Sequence, residues 1–131
     1  MIKVVLLTVD GDKPYEKASI LEEHERNQLP NFFEDSDFAF QTHEGTFVLP
    51  YYSVSLVQLT NYPVRVQGGY KIKRLSINSN VTYQDVVLIP PELYTKYNIP
   101  TIFPESDQFT FVSKEGVWIS SDYQVALVQL R

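Results

Sequence analysis

The stretch RVQGGYKIKR (65–74) gathers Arg65, Lys71, Lys73 and Arg74, with Tyr70 and the glycines Gly68 and Gly69 among them. Side chains two apart on an extended strand point to the same face, so Lys71 and Lys73 should project together. A cationic ribbon of this kind neutralises phosphates, arginine through a planar fork and lysine as a point charge. About four to six such contacts suffice for duplex binding that weakens steeply with salt. On a sheet edge the same lysines would instead be a solvated guard against strand-to-strand aggregation.

Other candidate chemistry is thinner. His24 lies among carboxylates in EEHER and His43 sits beside a turn, and no HxxxH, HxH or acidic loop accompanies them. The chain has no cysteine, which excludes thiolate ligands and disulfides. Asp10-Gly11-Asp12 opens like a calcium loop but lacks the later ligands, so a turn is expected. No serine occupies a nucleophile-elbow setting, and Gly68-Gly69 is no phosphate-cradling loop. Glu44 and Glu115 fall in equivalent turns, where turn chemistry accounts for them. A non-catalytic protein without cofactor or metal is expected.

With 131 residues, 44% of them hydrophobic and 14% aromatic, the chain can enclose a core without staples. No stretch approaches the roughly 20 apolar residues of a membrane span. MIKVVLLTVDGDK turns acidic too early for a signal peptide. A soluble, cytoplasmic protein is expected. The net charge of −5 is uneven: the acidic side chains gather in residues 1–62, whereas 63–100 hold Arg65, Lys71, Lys73, Arg74 and Lys96 against Asp85 and Glu92. The acidic face, including Asp10, Asp12, Glu16, Glu22, Glu23, Glu25, Glu34, Asp35 and Asp37, suits a basic protein partner or simply solubility.

These side chains need elements to hold them, and the sequence spells its elements twice. FAFQTHEGTFVLPYYSVSLVQL (38–59) and FTFVSKEGVWISSDYQVALVQL (109–130) share Phe38/Phe109, Phe40/Phe111, Glu44/Glu115, Gly45/Gly116, Tyr52/Tyr123, Val54/Val125 and the run Leu56/Leu127 to Leu59/Leu130. Upstream, PNFFEDSD faces PTIFPESD with Gln108 as one inserted residue, and Ile2-Lys3 faces Ile72-Lys73. Two units, 1–60 and 71–131, joined by a linker at 61–70, should therefore pack as one globular body. In the second unit KIKRLSIN (71–78) reads as a strand, 79–85 as a turn-rich connection and VVLI (86–89) as a short strand. PPELYTKYNIP reads as a one- to two-turn helix, followed by a hairpin across 108–120 and a closing strand. The first unit repeats this order with its helix at 20–29. Phe38, Phe40, Phe47, Phe109, Phe111 and Trp118 alternate as core residues should. Tyr51, Tyr62, Tyr70 and Tyr83 fall in loops or linkers and are freer to meet a ligand.

DVVLIPPELYTKYNI and FTFVSKEGVWI, within 85–119, together resemble the SpoVT-AbrB swapped-hairpin superfamily. Val87, Ile89, Pro90, Glu92, Leu93, Ile99, Phe109, Phe111, Gly116 and Ile119 sit at the places of its motif. Asp85 stands where that family has glycine, and Tyr15–Ser19 in the first unit lacks the Ile-Pro pair. The resemblance implies a mostly β fold with two short helices, in which the tandem repeat forms a pseudo-twofold swapped-hairpin β-barrel, in the single-chain manner of the MraZ family. It also implies a DNA-binding transcriptional regulator whose contacts lie on the first strands. Lys3, Arg65, Lys71, Lys73 and Arg74 are then the expected contact set, and double-stranded DNA the expected partner. The protein would be a monomeric pseudo-dimer or a higher homo-oligomer. The alternative is a protein-interaction module or inhibitor that uses the acidic first unit and binds no DNA.

Overall fold

A computed structural model describes residues 2–9, 13–33, 37–59, 65–78, 81–104 and 107–130. The chain is mostly strand: β1 (Ile2–Val9), β2 (Lys13–Glu16), β3 (Ser19–Ile20), β4 (Asp37–Thr42), β5 (Gly45–Pro50), β6 (Val54–Leu59), β7 (Tyr70–Ile77), β8 (Val81–Ile89), β9 (Gln108–Ser113), β10 (Gly116–Ser121) and β11 (Val125–Leu130). All described ladders are antiparallel, and the strand order is β11-β7-β8-β9-β10-β6-β1-β3-β4-β5, with β2 pairing β1.

The helices are shorter than the sequence suggests. In place of a helix over 20–29 there is only α1 (Glu23–Arg26). Ile20 is claimed by the β3–β4 ladder, and the Leu21 N–H bonds to the Ala39 carbonyl at 2.9 Å. At α1's start the Glu22 N–H donates to Glu25 Oε1 at 3.1 Å, half of a capping box. That bond holds the Glu25 carboxyl below its ordinary range. In the second half a 3-10 turn at Pro91–Leu93 starts on prolines and is followed by turns up to Asn98, whose φ of 56° stops it. The connection expected at 79–85 is largely strand, because Val81, Thr82 and Tyr83 pair with Ile77, Ser76 and Leu75.

The two halves carry the same register. Val4 lies opposite Leu59 and Leu6 opposite Gln58, just as Ile72 lies opposite Leu130 and Arg74 opposite Gln129. Tyr15 faces Leu7 as Tyr83 faces Leu75. Left-handed residues fall at matching places, Lys17 at φ 54° and Asp85 at 55°. The ladders thus set Lys3 against Lys71, two residues away from the sequence alignment of Ile2-Lys3 with Ile72-Lys73. Gln108 is no insertion either: it opens β9 as Asp37 opens β4. Asp37 accepts hydrogen bonds from the Phe32 and Phe33 N–H groups, and Gln108 Oε1 accepts from those of Ile102 and Phe103.

A closed, pseudo-twofold barrel does not form. Each hairpin pairs within its own half, β4–β5 beside β3 and β9–β10 beside β8, and the halves join through β10 and β6. A twofold would add the mirror pairing of β5 with β11. Those strands are instead the two ends of the order. The join is head-to-tail. The interior is nonetheless shared: Val57 and Leu59 pack with Ile89, Phe103, Val117 and Ile119, while Leu56 joins Ile72, Leu75, Phe111 and Trp118. Matching aromatic trios anchor each half, Tyr15–Phe40–Phe47 and Tyr83–Phe111–Trp118, with Phe40 stacked on Phe47 at 5.1 Å and Phe111 on Trp118 at 6.2 Å.

Candidate nucleic-acid interface

β7 lies between β8 and β11. Ile72 pairs with Leu130 and Arg74 with Gln129, so Lys73 is an extra residue against that neighbour, a β-bulge. The bulge inverts the alternation. Ile72 points inward, and so do Leu75 and Ile77, leaving Lys71, Lys73 and Arg74 all exposed. An unbroken strand would have turned Arg74 into the core beside Ile72. The apolar spacing 72, 75, 77 was the available signal for the bulge. Tyr70, also exposed, heads the strip.

The other expected contacts are placed differently. Lys3 occupies on β1 the position that Lys71 occupies on β7, and it too is exposed. Five ladder steps separate the two strands in the order, or about 24 Å along the sheet at roughly 4.8 Å per strand. Lys3 therefore lies on a strand that does not neighbour β7. Arg65 is exposed in the segment that leads into β7. That segment is fastened down: the Tyr97 hydroxyl accepts from the Gln67 N–H at 2.7 Å and donates to the Gln67 carbonyl at 2.9 Å. Gly69 is no hinge. A Cβ there would stand 2.5 Å from the Leu88 carbonyl oxygen and 2.6 Å from Val87 Cγ1, so only glycine fits.

Elsewhere the chemistry-bearing side chains have structural uses. Glu22, His24 and Glu25 cluster on α1, but Glu22 and Glu25 form its capping box and His24 is well exposed. His43 is exposed in the β4–β5 turn. The Ser113 hydroxyl accepts from Trp118 Nε1 at 2.8 Å and from the Glu115 N–H. Glu115 and Tyr83 border a groove of about 450 Å³ with Asp85 and Lys114. Burial, followed by the Glu115 charge, pushes the Tyr83 phenol up to about 12. Tyr83 is thus a packed strand residue, not a loop contact. A larger cleft of about 610 Å³ opens between the halves, lined by Glu22, Glu23, Arg26, Phe38, Tyr51 and Phe103 among others. Arg26 there donates to the Asp37 carbonyl. In the acidic half, Asp37 and the capping-box glutamates are engaged with backbone. Asp10, Asp12, Glu34, Asp35 and Tyr62 lie outside the described residues.

No protein-family model, no curated protein and no solved structure matches the chain. Among the described residues, no helix is long and apolar enough to cross a membrane.

Proposed function

We propose that this protein is a non-catalytic binder of double-stranded DNA, gripping phosphates through Lys71, Lys73 and Arg74, with Arg65 beside the start of their strand. One observation carries this. β1 and β7 share the same register and the same bulge, yet where β7 has Lys73 and Arg74, β1 has Val5 and Leu6. The backbone accepts apolar residues at both places, so the cations are not a requirement of the fold. Nor do they guard an edge, since β7 is covered on both sides by β8 and β11.

A transcriptional regulator of AbrB type is the fuller form of the proposal. It draws on the Val87-to-Ile119 motif, and on Asp85 adopting φ 55° where that family has glycine. The halves are inferred to descend from one duplicated unit whose second copy carries the DNA contacts. The acidic alternative is weaker because Asp37, Glu22 and Glu25 are already committed to their own backbone.

The test is fluorescence anisotropy of a labelled duplex between about 50 and 200 mM salt, where three phosphate contacts give a log–log slope of about −2.7 and a roughly 40-fold loss of affinity. Replacing Lys71, Lys73 and Arg74 together by alanine should abolish binding and leave the circular dichroism spectrum intact. Undiminished affinity in that variant, or no binding by the parent protein at the lowest salt, refutes the proposal.

A further inference from the structure

The ends of the sheet repeat the two partners of the internal join. Inside the molecule β10 pairs with β6, Trp118 opposite Gln58 and Ile119 opposite Val57, and Gln58 Nε2 donates to the Glu115 carbonyl at 3.2 Å. β5 is the counterpart of β10: it pairs with β4 as β10 pairs with β9, and its Gly45 has φ 137° against 138° for Gly116. β11 is the counterpart of β6, with Val125, Leu127, Val128, Gln129 and Leu130 repeating Val54, Leu56, Val57, Gln58 and Leu59.

Their surroundings differ. Leu56, Val57 and Leu59 are 5%, 0% and 3% exposed, whereas Leu127, Val128 and Leu130 are 44%, 40% and 67% exposed. A Cβ on Gly116 would meet Gln58 Nε2 and the Leu59 carbonyl across the join at 3.9 Å, while one on Gly45 would meet nothing within 4 Å. Neither edge is protected in the usual way. β5 (GTFVLP) and β11 (VALVQL) carry no charge. Pro50 lacks an N–H, but its counterpart Ser121 makes no pair in the β10–β6 ladder.

We infer that copies of this chain join head-to-tail, β5 of one pairing antiparallel with β11 of the next in the register of the internal join. Phe47 then lies opposite Gln129 and Val48 opposite Val128, and Gln129 donates to the Glu44 carbonyl. Such a contact is heterologous, so it propagates until the accumulated rotation closes a ring. The occupant is a second copy because this chain carries both strands, and their counterparts β10 and β6 make the same pairing inside the molecule.

Light scattering up to about 100 µM, where even a micromolar contact is populated, should give a mass that is a multiple of 15.2 kDa. Val128→Asp should return it to a single chain with an unchanged circular dichroism spectrum. A parent protein that remains a single chain overturns the inference, as does an assembly indifferent to Val128→Asp. Should that variant unfold, disulfide trapping decides, since the chain has no cysteine of its own. Val48→Cys with Val128→Cys should crosslink copies on air oxidation, and Thr46→Cys with Val128→Cys, displaced by two residues, should not. Absence of the first crosslink, or equal trapping by both, rejects the register.

Discussion

Leu59 and Leu130 close two similar segments of the sequence, and truncating each should have very different consequences. Each is paired to the first strand of its half, Leu59 to Val4 and Leu130 to Ile72. Leu59 is 3% exposed and Leu130 67%. Leu59→Ala removes three carbons from a packed interior and leaves a void, which costs about 3 kcal/mol. Leu130→Ala removes groups that are mostly in water already, so about 0.5 kcal/mol is expected from area. Against a total stability on the order of 5–15 kcal/mol the first loss is severe and the second hardly matters. Urea titration followed by circular dichroism separates them. With a slope of about 1.5 kcal/mol/M, the midpoint falls by about 2 M for Leu59→Ala and by about 0.3 M for Leu130→Ala. The comparison belongs at high dilution, where single chains prevail. Equal losses there would refute the placement of β11 at an open edge. If the Leu130→Ala loss grows as protein concentration rises, β11 is covered by association.

Two further perturbations address the interior. Gln108→Leu orphans the N–H groups of Ile102 and Phe103 and the Pro100 carbonyl, all of which Gln108 satisfies, and should cost about 3 kcal/mol in the same urea assay; a loss within error would show that the amide is dispensable. For Tyr83 the folded-state value of about 12 exceeds the ordinary 10.0, so its contribution is complete below pH 10 and is lost as pH rises from 10 through 12. Tyr83→Phe should remove the phenolate absorbance step near 12 and flatten that part of the alkaline stability loss. An unchanged titration curve would place the late-titrating phenol elsewhere.

The strands were legible wherever period and punctuation agreed. The FTFVS and GVWIS hairpin strands and the closing VALVQL follow alternation and a glycine turn, and they fold as read. Legibility failed where tertiary pairing overruled local signals. Residues 81–85 look turn-rich next to Asn78-Ser79-Asn80, but β7 offers them a ladder. Ile20 looks helical by spacing, but β4 claims it. At the candidate site the cationic residues were identifiable and their shared exposure was only half so. Alternation couples Lys71 to Lys73; only the bulge adds Arg74. The separation of Lys3 from them depends on strand order, which no local pattern encodes. Alignment by identity also misled: matching Ile2-Lys3 to Ile72-Lys73 is attractive by letters, whereas the hydrogen-bond register sets Lys3 against Lys71.

The cation strip and the open edge meet on neighbouring strands, and each bears on the other. β11 is bonded directly to β7, so the strip lies one strand spacing, about 4.8 Å, from the apolar edge. Lysines meant to deter pairing would belong on β11 itself, and it has none. Covering β11 with β5 of another copy would leave the outward face of β7 uncovered, because strand pairing uses the edge and not the face. Repeated joining would therefore present one Lys71–Lys73–Arg74 strip per chain at a constant spacing. Phosphates along a duplex also recur at constant spacing, so an assembly could engage several strips where a single chain engages one. Linked contacts of that kind raise avidity steeply without any new contact, and their salt slopes add. A chain with net charge −5 would gain from such an arrangement in particular, since one strip of three cations would hold a duplex weakly and several in register would not.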